Sequence, residues 1–180
     1  MSSELRVDKI VPVDGVPSGG GGGVIQVTQG NINYRSQTTS TDYVATGLTG
    51  TITPKINTSK VLVTVTTTCN WTSGQATSAF IIRRKVGGSY VAHSPLGSTG
   101  HGNVNNPDGA TMAAYSNDGS TKNNQMPMTV QWWDSPATTS AITYELHMAA
   151  NGGSGCGVGG LGDNADYNVY SQIVMMEVSA

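Results

Sequence analysis

Three histidines, His93, His101 and His147, are the residues best suited by type to move protons or hold a metal ion. Either chemistry needs several groups converging on one point, and the spacing supplies no such convergence. There is no HExxH or HxH pair, and no cluster of carboxylates stands beside His93 or His101, which flank a stretch rich in Gly, Ser and Asn. The expectation is that no metal is bound and that no residue is catalytic. A glycoside-cleaving enzyme would need two converging carboxylates, and the chain has 11 acidic residues, well scattered.

Other chemistry-bearing patterns fail in the same way. The segment around Asp163 and Asp166 approaches a calcium-binding glycine-aspartate repeat, but its first Asp falls one place early and no second copy follows. Those two carboxylates would bind calcium only if other oxygens completed a set of six or more. The glycines at 19–23 are not followed by GK[ST], so they are a linker and not a phosphate cradle. Ser154 lies between glycines without the strand-to-helix elbow that activates a serine. Cys69 and Cys156 make neither a disulfide framework nor a four-ligand zinc site; two reduced, buried thiols are expected, with a bridge between them as the alternative. No cofactor is implied.

Residues suited to contact rather than catalysis stand out more. Trp132 and Trp133 are adjacent in a strand-like run, so one ring should enter the core and the other face outward, where it can anchor an interface or stack on a sugar. Arg83 and Arg84, followed by Lys85, close another run and read as a solvated or subunit-facing patch. Only 11% of residues are charged, the net charge is -2, and the cations occur singly or in short groups. A basic stripe for nucleic acid is therefore missing.

The elements that must carry these residues are strands. From residue 24 onward, short alternating runs of β-branched and aromatic residues are bounded by Gly, Pro, Asn and Asp. They place strands near 24–35, 42–46, 48–53, 60–71, 77–86, 89–92, 110–116, 126–134, 141–150 and 168–178. Val61, Val63 and Val65 alternate with Leu62, Thr64 and Thr66, and Ile142, Tyr144, Leu146 and Met148 with Thr143, Glu145 and His147, as sheets with one buried face require. No stretch repeats at helical spacing. An all-β, antiparallel β-sandwich follows, with a jelly roll as the expected topology. The polar stretch 94–108 and the glycine run 151–162 are too long for hairpin turns and read as functional loops.

Residues 1–23 read as a separate unit from the sandwich at 24–180. Leu5 and Val7, with Ile10 or Val11, give an extended arm an apolar side too small to form a core, so the arm must dock on a neighbour or stay loose. The oligoglycine joint lets it reach another subunit or another protein. The arm has no apolar core of the secretory type, and no stretch approaches the ~20 apolar residues that span a bilayer. A soluble protein made in a cytoplasm, with neither nucleic acid nor membrane as partner, is expected.

The opening Ser3-Glu4-Leu5-Arg6-Val7-Asp8-Lys9-Ile10 resembles the short "LKVD-(T/K)-I" start of many bacteriophage virion and tail-fibre-type proteins, especially those of marine and cyanobacterial phages. The run from Thr46-Gly47-Leu48 through Ile52-Thr53-Pro54 to Ser59-Lys60-Val61-Leu62-Val63 is similar to the core of their C-terminal sandwich domains. The resemblance implies a homotrimeric virion component on the outer surface of the particle, synthesised in the host cytoplasm. The absence of a long shaft favours a capsid decoration (cement) protein whose arm clamps the major capsid protein. The alternative is a tail-fibre or receptor-binding, lectin-like protein held by tail proteins and reading a host-surface glycan.

Overall fold

In the computed structural model the described residues are 23–71, 76–93, 112–116, 124–150, 155–160 and 169–179, and their regular structure is all β. Eleven strands follow one another: β1 (Val24–Ile32), β2 (Ser36–Thr38), β3 (Val44–Ile52), β4 (Lys60–Trp71), β5 (Ala76–Val86), β6 (Ser89–His93), β7 (Met112–Ser116), β8 (Asn124–Asp134), β9 (Ile142–Ala150), β10 (Cys156–Val158) and β11 (Ser171–Val178). They form two antiparallel sheets packed as a sandwich. In the first, β11 lies between β1 and β4, and β8 pairs along the other side of β4. The far end of β4 continues through β10 to β2. The second runs β3-β9-β5-β6, with β7 also on β5.

The alternation anticipated from the sequence is what builds the core. Val61, Val63 and Val65 of β4 and Ile173 and Met175 of β11 point inward from the first sheet. Phe80 and Ile82 of β5 and Tyr144, Leu146 and Met148 of β9 meet them from the second. Each such side chain contributes about 1.5–3 kcal/mol by leaving water.

Successive long strands change sheet, so few hydrogen-bonded pairs are local in sequence. The β5–β6 hairpin is an exception, turned by Gly87 and Gly88, whose φ angles of 60° and 83° match the two left-handed positions of a tight hairpin turn. At the opposite edge β1 closes onto β3. A Cβ on Gly30 would lie 1.8 Å from the Thr49 carbonyl oxygen, so only a glycine permits this approach. Thr28 Oγ1 donates to Thr51 O at 3.0 Å beside it.

Several boundaries differ from those expected. The runs 42–46 and 48–53 are one strand, β3, bent by a bulge between Ala45 and Thr49 with Gly47 at φ 86°. The glycine there looked like a strand break because the bulge is fixed by a partner strand, not by local sequence. The first strand stops at Ile32, and β2 follows as a separate short piece. Part of the expected loop at 151–162 is strand β10, three buried residues held between β4 and β2. The arm at 1–22, with Leu5, Val7, Ile10 and Val11, lies outside the described residues, as do residues 94–111, His101, Ser154, Asp163 and Asp166.

Candidate interaction surface

Among the described residues, the outer face of the first sheet is half-buried at its centre and exposed at its two edges. Cross-strand register places Trp133 of β8 opposite Leu62 of β4, Leu62 opposite Met176 of β11, and Met176 opposite Val27 of β1. An apolar row therefore crosses all four strands. Trp133 is 56% exposed and Val27 53%, while Trp132, one residue away, is 4% exposed in the core. The division of the two tryptophans between core and surface is as the strand period requires. The next row is Gln131, Thr64, Val174 and Gln29, all uncharged.

Trp132 helps build a clasp between the sheets. Its ring meets Tyr144 edge-on at 5.6 Å, and the Tyr144 hydroxyl donates to Asp134 Oδ2 at 2.7 Å. Asp134 in turn receives both contacts of Arg84, at 2.7 and 2.8 Å. Burial, followed by the adjacent Asp134 carboxylate, pushes the Tyr144 hydroxyl far up from its ordinary pKa. Arg84 thus joins β5 to β8, and it is not part of a solvated patch.

Arg83 is not solvated either. It is 9% exposed, with its guanidinium 5.8 Å from the Tyr43 ring centre and 5.4 Å from that of Tyr90. Aromatic faces stabilise a cation held this way. Around it, on the outer face of the second sheet, Lys85 Nζ donates to Glu145 at 2.8 Å and the Tyr90 hydroxyl to the same carboxylate at 2.7 Å. His147 Nε2 lies 3.0 Å from the Tyr90 hydroxyl and 3.2 Å from Glu145. Burial holds the buried His147 imidazole below its ordinary pKa, against the pull of Glu145. Burial raises Glu145, but hydrogen bonds from Lys85, Tyr90 and His147 outweigh it and keep the carboxyl below the usual range. The carboxylate is held by three donors, an arrangement that fixes a surface.

A second buried carboxylate, Glu177, was not singled out by its sequence. It follows Ile173 and Met175 at the same parity, and that inward register was the available signal. Its Oε1 accepts from the backbone N–H of Lys55 at 2.8 Å and of Ile56 at 3.2 Å, and from Ser59 Oγ at 2.7 Å. Its Oε2 accepts from Gln26 Nε2 at 2.6 Å. The turn between β3 and β4 is thereby tied to β1 and β11. Burial works against the charge, and these four donors overcome it, keeping Glu177 below the ordinary carboxylate range.

Cys69 and Cys156 are free, buried thiols on the adjacent strands β4 and β10. His93 ends β6. Among the described residues no group of three or more His, Cys, Asp or Glu could hold a metal ion, and no helix is long and apolar enough to cross a membrane.

No protein-family model matches the sequence, and no curated protein matches it. Among solved structures, the chain is similar to one in "Structure of infectious bursal disease virus Gx strain", at 14% identity and a TM-score of 0.38, over 100% of this chain and 41% of that one. A second is in "Structure of infectious bursal disease virus Gt strain", at 13% identity and a TM-score of 0.36, over 100% and 42%. The chain spans about two fifths of the length of those chains.

Proposed function

We propose that this is a non-enzymatic virion structural protein, a homotrimeric capsid decoration protein of a bacteriophage, whose sandwich is a jelly roll and whose N-terminal arm grips the major capsid protein. The observation that carries the reading is the strand order. Four long strands, β1-β11-β4-β8, face four others, β3-β9-β5-β6, with successive strands among these split between the sheets except at the β5–β6 hairpin, an arrangement suited to a jelly roll. Gly23, at the joint to residues 1–22, is hydrogen-bonded to Ser179: its N–H donates to Ser179 Oγ at 3.0 Å, and its carbonyl accepts from Ser179 N–H at 3.0 Å and from Ser179 Oγ at 3.4 Å. Gly23 therefore sits beside the edge strand β1. Its apolar residues Leu5, Val7, Ile10 and Val11 need a surface outside their own unit.

The test is to tag the protein in intact particles with gold and image them. Regular labelling over the head supports decoration, and removing residues 2–22 should then abolish attachment while the sandwich stays folded. Normal decoration by the truncated protein would overturn the role of the arm.

The exposed Trp133 ring favours a second reading, a tail-fibre or receptor-binding protein that stacks the ring on a host-surface glycan. Labelling confined to the tail, with host binding lost in Trp133→Ala, supports it. Failure of the purified protein to bind the host surface removes it.

A further inference from the structure

We infer that the outer face of the β1-β11-β4-β8 sheet is where copies of this chain meet, with the row Trp133, Leu62, Met176 and Val27 at the centre of the contact. The inference deepens the self-association in the proposed function and rests on that part of it alone; it holds wherever on a particle the protein sits.

Three observations lead there. First, the row is apolar from one edge of the sheet to the other, and its two ends, Trp133 and Val27, are more than half exposed in the single chain. A large aromatic ring flanked by aliphatic side chains is the composition of an interface centre, not of an ordinary solvated strand face.

Second, the face is almost free of charge. The flanking rows contribute Gln, Thr, Asn and Val, and among the described residues the one charge paired into these rows is Lys60, opposite Val178 at the rim. In a closed ring of identical chains, like residues converge near the symmetry axis, so any charge there faces its own copy. The outer face of the second sheet carries Arg83, Lys85 and Glu145 and is ill suited to that position. A partner of another kind, chosen by charge, would need what this face lacks.

Third, the size is sufficient. Four strands at ~4.8 Å spacing and about eight residues at ~3.4 Å rise give a face of about 19 by 27 Å, about 500 Å² in plan. A pleated face studded with side chains offers more accessible area than its plan, which brings it toward the ~800 Å² that each partner buries in a standard interface.

Native mass spectrometry and light scattering on the full chain, with Trp133→Glu and Met176→Lys made separately, test the inference. The wild type should appear as a multiple of 18.6 kDa. Each variant should weaken association by about 30-fold or more, the loss expected at an interface hot spot. Because Trp133 lies outside the core, its variant should keep the wild-type circular dichroism. Hydroxyl-radical footprinting of the wild type supplies a readout that needs no variant: Trp133 and Met176 should be protected in the oligomer and reactive on dilution to monomer. A wild type that stays monomeric at about 100 μM overturns the inference together with the trimer. A wild-type oligomer that both variants share, with Trp133 still reactive, overturns this face and leaves self-association standing.

Discussion

Replacing Glu177 should be among the most damaging single changes to the sandwich, and the structure allows its size to be worked out. The carboxylate accepts from four donors. Two of these have another acceptor: Gln26 Nε2 also reaches Thr53 O, and Ser59 Oγ also reaches Ile56 O. The backbone N–H groups of Lys55 and Ile56 would be left unpaired by Glu177→Ala. At about 1.5–3 kcal/mol for each hydrogen bond to a charged group, less some relief from no longer burying the charge, the loss is about 4 kcal/mol. For a chain of this length that corresponds to a fall of about 8–16 °C in melting temperature. Glu177→Gln keeps one carbonyl acceptor for the backbone N–H groups of Lys55 and Ile56 but loses the charge assistance and replaces the other oxygen, which accepts from Gln26, by an NH2 donor, so it should cost about half as much. The pH dependence has a definite sign. A carboxylate held below its ordinary pKa of 4.5 stabilises the fold fully above that value and loses its contribution as pH falls through the folded-state pKa. Urea titrations at fixed protein concentration, from pH 7 to pH 3, should therefore show the gap between wild type and Glu177→Gln closing in acid. A Glu177→Ala variant within 1 kcal/mol of wild type, or a gap indifferent to pH, would refute the reasoning.

Other expectations follow from the same kind of accounting. Asp134→Ala leaves the largely buried Arg84 cation without its partner and should cost about 3–5 kcal/mol, against about 1–2 for Tyr144→Phe, both read from urea midpoints. His147 is held in its neutral form by burial, with Arg83 adding to and Glu145 opposing the effect. Its contribution is therefore whole above about pH 6.5 and declines as pH falls, and His147→Gln should flatten the stability profile between pH 7 and pH 5. Burial raises the Cys69 thiol and pushes Cys156 up to about 12, so neither should react with a thiol reagent at pH 8 until the protein is unfolded. Rapid labelling of the native protein would contradict this.

The strands were legible because their signal is local. Val61, Val63 and Val65, or Ile142 through Met148, alternate with period two, and a period survives whatever the partner strand turns out to be. What was not legible depends on partners distant in sequence. Strand β10 is three residues in a glycine run, and only the flanking β4 and β2 make it a strand. Arg83 and Arg84 occupy neighbouring positions of one charged run. They end up on opposite sides of a sheet, one against two tyrosines and one across the sandwich on Asp134. Adjacent cations read as a patch in sequence, but strand geometry separates them. The tryptophan pair obeyed the same geometry, and there it was foreseen because both residues were treated as members of a strand.

The pairing of β1 with β11 also bears on how the chain reaches its fold. Val24 pairs with Val178 and Ile32 with Ser171, so the first of the described strands to be synthesised finds its neighbour only when the last of them is made. Until then β1 has no ladder partner, Gly23 lacks Ser179, and Val27 lacks Met176. Nearly every other ladder likewise joins distant parts of the chain, a topology that folds in milliseconds to seconds rather than microseconds. Among the described strands, the edge that holds Gly23 is thus closed last, and it is finished only when the whole sandwich is.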